Sequence, residues 1–79
     1  MTVEQFNSLD EEQKKAVIFD AKKVTERVEH VEKYELFQID NFFIEVKTSL
    51  QQRFRRVIAT FSVKEVPKVY ANKIHLSYH

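Results

Sequence analysis

Seventy-nine residues with no cysteine and no glycine leave room for one domain. They exclude a disulfide scaffold, a thiolate zinc site, a cysteine nucleophile and any glycine-rich phosphate loop. With 43% hydrophobic and 13% aromatic residues the chain is no disordered tail, because it has enough apolar surface to offset its ordering entropy. The formal charge of +1 conceals an asymmetry: residues 1–46 carry 6 Lys/Arg against 11 Asp/Glu, residues 47–79 carry 7 against the lone Glu65. Such a layout either presents a basic surface to phosphates or an acidic partner, or lets two halves neutralise each other on packing. The opening residues have neither a basic n-region nor an apolar h-region, and no apolar run approaches the ~20 residues of a membrane span. A cytoplasmic location without membrane attachment is therefore expected, with residues 1–79 as a single domain and 75–79 as a flexible tail.

In chain order, Ser8-Leu9-Asp10-Glu11 fits a capping box, which satisfies orphan N–H groups at a helix start. Acidic residues in the first turn followed by Lys14 and Lys15 suit the helix dipole, and Leu9, Gln13, Ala16, Val17 and Asp20 define a stripe on a helix from about Leu9 to Phe19. Val17, Ala21, Val24, Val28 and Val31 then recur in a heptad-like seam that allows one long helix to about Lys33. The same segment, rich in β-branched valine, also reads as a strand over 23–29, and periodicity leaves both open.

Tyr34–Ile39 and Phe42–Lys47 are aromatic and β-branched runs flanking Asp40-Asn41, residues that tolerate the left-handed region of a two-residue type I′ hairpin turn. The register opposes Ile39 to Phe42, Phe37 to Ile44 and Glu35 to Val46. One face then carries Phe37, Ile39, Phe42, Ile44 and Val46 as core; the other carries Tyr34, Leu36, Gln38, Phe43, Glu45 and Lys47. Thr48 to Gln52 reads as a polar loop and Arg53–Phe61 as a further strand. Ser62-Val63-Lys64-Glu65 offers a second capping box, and Val66, Val69, Tyr70 and Ile74 give a short final helix its apolar stripe. Without glycine, every tight turn that needs positive φ is expected to use Asn or Asp.

The hairpin, Tyr34-Glu35-Leu36-Phe37-Gln38-Ile39-Asp40-Asn41-Phe42-Phe43-Ile44-Glu45-Val46, resembles a group of short uncharacterised proteins of gut-type Bacteroidetes. Phe6-Asn7-Ser8-Leu9 matches the Phe-x-x-Leu opening of that group, and Tyr70 and Ile74 match its closing helix; Ala21 departs from the glycine often found there before the first strand. The resemblance implies strand for residues 23–29 and an α+β fold: an N-terminal helix, an antiparallel β-meander of three to four strands and a short C-terminal helix. It implies no activity.

No catalytic constellation is evident, and a non-enzymatic role without cofactor, metal or small-molecule substrate is expected. Glu45 is the best single acid–base candidate, but a lone strand carboxylate is more often paired with a cross-strand cation, here Arg55 or Arg56. His75 and His79 stand at i,i+4 spacing in the expected tail, too little for a metal site. Protein interaction, with a partner or as a homodimer through a sheet face, rests on Tyr34, Leu36, Phe43 and Glu45, an apolar-aromatic patch of the kind found in interface cores; the alternative is that a terminal helix covers this face. Nucleic-acid binding would use Arg53, Arg55 and Arg56, with Lys47, Lys64, Lys68 and Lys73 on phosphates and Phe54 and Phe43 stacking on bases.

Overall fold

The computed structural model describes residues 1–67 and Tyr70. These run as helix α1 (Val3–Asn7), helix α2 (Glu11–Phe19), strands β1 (Lys22–Glu29), β2 (Glu32–Ile39), β3 (Phe42–Ser49) and β4 (Arg55–Ser62), and a 3-10 turn at Val63–Glu65. The strands pair in chain order as one antiparallel sheet, so the fold is α+β with a four-stranded meander. The expected C-terminal helix and the tail at 75–79 fall, apart from Val66, Pro67 and Tyr70, outside the described residues.

Where one N-terminal helix is expected, two form. Thr2 caps α1 through the N–H of Gln5, and Asp10 caps α2 through the N–H of Gln13 at 2.8 Å, each glutamine reaching back to the cap. Ser8, the expected cap, instead closes α1 from its C-terminal side. An aspartate carboxylate at the N-cap accepts more strongly than a hydroxyl and meets the positive end of the dipole, which moves the start by two residues. The buried stripe of α2 moves with it: Ile18 is buried and Val17 half-buried, while Gln13, Ala16 and Asp20 are exposed.

The chain leaves α2 at Asp20 and enters β1, so the valine seam is no helix face. Val17 and Ala21 pack on one side of the sheet and Val24 on the other, while Val28 and Val31 are exposed. A bulge at Val24 shifts the β1–β2 register, and a second at Ile58 shifts β3–β4. Bulges of this kind interrupt the edge strands of a sheet and increase their twist.

The central hairpin has the expected register, Ile39 opposite Phe42, Phe37 opposite Ile44 and Glu35 opposite Val46. Its loop is two residues long, but Asp40 alone takes positive φ, 51°, whereas type I′ requires both central residues there. The other positive-φ residues are His30 (56°) and Arg53 (57°); the expectation that only Asn or Asp would serve fails at two of three positions. His30 shares its turn with Val31, whose branched side chain excludes the left-handed region still more strongly. Arg53 sits in the β3–β4 loop, where its N–H donates to the Ser49 carbonyl at 2.9 Å.

The sheet is covered on both faces. Helices α1 and α2 lie on the Phe37 face, where Phe6 and Ile18 join Phe37, Phe42, Ile44 and Val46 in the larger core. On the opposite face Leu36 and Phe43 are buried with Tyr70, and Val24, Phe61, Val63 and Val66 pack around them. Ion pairs tie the acidic and basic halves together: Lys47 lies 2.6 Å from Glu32 and Arg55 3.5 Å from Glu35. The Lys47 ammonium, hydrogen-bonded to Glu32, holds that carboxyl below its ordinary range.

Candidate functional site

The patch Tyr34, Leu36, Phe43 and Glu45 is not an open face. Leu36 and Phe43 are fully buried by the segment that follows β4, with Tyr70 seated on them. The expectation of a free apolar-aromatic surface is corrected accordingly: the chain's own C-terminal side covers it, because two fully apolar positions on neighbouring strands are more stable under Tyr70 than in water. Tyr34 remains half-buried, its ring 4.0 Å beneath the Arg27 guanidinium and its hydroxyl donating to Glu32 at 3.1 Å.

Glu45 is buried and charge-matched from below and above. Arg27 on β1 lies 3.6 Å from it, and the Tyr70 hydroxyl donates to the same oxygen. Its cation is therefore Arg27, two strands away, and not Arg55 or Arg56. Burial and the adjoining carboxylate hold the Tyr70 hydroxyl well above the ordinary tyrosine range. This arrangement ties Tyr70 to the sheet and leaves Glu45 7% exposed.

The basic cluster disperses. Arg55 turns to Glu35 and lies 5.6 Å over the Phe37 ring, Arg56 lies 5.4 Å over Phe54, and Arg53 is exposed in the loop. Arg53 and Arg56 have no ion-pair partner among the described residues. Phe43, offered as a stacking platform, is buried.

A groove of about 430 Å³ opens on the helical side, between α2 and the ends of β2, β3 and β4. Helix α1 packs its Phe6 against Phe42 at a centroid distance of 6.0 Å, leaving the sheet beyond Phe37 only partly roofed. The sheet wall is Phe37, Val46 and Val57 with Glu35 among them; the helical wall is Lys14, Lys15, Ile18 and Phe19. Glu35 is 9% exposed and bridges Lys23 at 3.2 Å and Arg55 at 3.5 Å. The carboxylates of Glu26 and Glu35 beside Lys23 raise its ammonium above the ordinary lysine value. With Glu35 so matched and Lys15 paired to Glu12 at 3.6 Å, Lys14 and Arg56 stand against Glu11 on the rim. Phe19, at the end of α2, is 89% exposed on that rim.

Neither Phe19 nor Glu35 stands out by motif. The helical pattern does not single out Phe19 either: Ile18, equally outside the expected stripe, is buried, whereas Phe19 is 89% exposed. Glu35 was marked as the one charged side chain on an otherwise apolar hairpin face. Among the described residues no cluster of three or more His, Cys, Asp or Glu is placed to hold a metal ion, and no helix is long and apolar enough to cross a membrane. The chain matches no protein-family model, no curated protein and no solved structure.

Proposed function

We propose that the protein is a non-enzymatic, cytoplasmic protein-interaction module that docks through the groove between α2 and the sheet, and not through the Tyr34, Leu36 and Phe43 face. One observation carries this reading: a cleft of about 430 Å³ whose walls mix apolar and charged side chains, with Phe19 standing 89% exposed on its rim. Clefts of this size that place polar groups among apolar side chains are the usual form of a binding site, and aromatic side chains are enriched where proteins meet. Glu35 contributes by holding Arg55, which lines the groove, at 3.5 Å.

Site-specific photocrosslinking in the native host tests the reading. With p-benzoylphenylalanine at position 19 the expected result is a discrete protein adduct, absent when the probe replaces exposed Ile58 on β4. Adducts of equal yield at both positions, or none at position 19, would reject the groove.

The second reading is a small nucleic-acid-binding accessory protein, and it rests on Arg53 and Arg56, the latter stacked on Phe54. Phosphate contacts strengthen as salt falls, so fluorescence anisotropy with single-stranded oligonucleotides at low salt decides it. No binding there removes this reading.

A further inference from the structure

We draw no further inference here: the strongest candidate, the groove between α2 and the ends of β2, β3 and β4, belongs to the site already described, and nothing in the structure shows what covers it.

Discussion

His30, Asp40 and Arg53 hold the left-handed backbone that glycine ordinarily supplies. For a side chain such as arginine this costs on the order of 1 kcal/mol. Arg53→Gly is therefore expected to raise stability by up to about 1 kcal/mol, read as a higher urea midpoint at unchanged slope; a lower midpoint would show that the Arg53 side chain stabilises the loop. Tyr70 supplies a second prediction. Its raised hydroxyl titration means that the folded state holds the proton more tightly than the unfolded chain. That contribution is complete below the ordinary tyrosine value near 10 and is lost as pH climbs through the raised one. Tyr70→Phe, which takes a donor from buried Glu45, is expected to cost about 1–3 kcal/mol at neutral pH and to flatten the alkaline loss of stability in urea titrations between neutral pH and the start of base denaturation. An alkaline limb as steep as that of the wild type would place the responsible proton elsewhere.

The elements differ in how far local chemistry decides them. Strands β2 and β3 are buried on both faces over Glu35–Phe37 and Phe42–Val46, and the two-residue loop between them sets their register. Helix α2 depends on a choice between two competing caps. Asp10→Ala is expected to cost about 1 kcal/mol, some 4–8 °C in Tm for a domain of this size, while Ser8→Ala should stay within about 0.5 kcal/mol. Equal losses in thermal melts would mean that the helix starts where Ser8 caps it. Strand β1 was the ambiguous element because valine spaced at four and three residues satisfies both a helical seam and a bulged strand. The bulge at Val24 is what lets it do so: it turns Val24 toward the Tyr70 side while the ladder continues.

At the scale of the molecule, the central strands are buried from both sides by opposite ends of the chain. A single sheet thus carries two cores, and charges too far apart in sequence to be paired by inspection meet across it: Arg27 with Glu45, Lys47 with Glu32, Arg55 with Glu35. Phe43→Ala is expected to cost about 3–5 kcal/mol through lost burial and a cavity, a loss comparable to the whole margin of so small a domain. Its spectrum should lose amide dispersion at 37 °C. A folded, well-dispersed Phe43→Ala variant would show that the second core contributes little, and would reopen that face as a surface.

The amino-acid sequence by itself determined the hairpin from Tyr34 to Lys47, its register and the core residues of its Phe37 face, because side-chain alternation and loop length act over neighbouring positions. Only the tertiary structure decided that the Leu36 and Phe43 face is covered, that Glu45 pairs with Arg27, and that a groove remains beside α2. Each of these depends on where Tyr70, β1 and the two short helices come to rest. Those placements rest on contacts between segments far apart in the chain, and no local pattern encodes them.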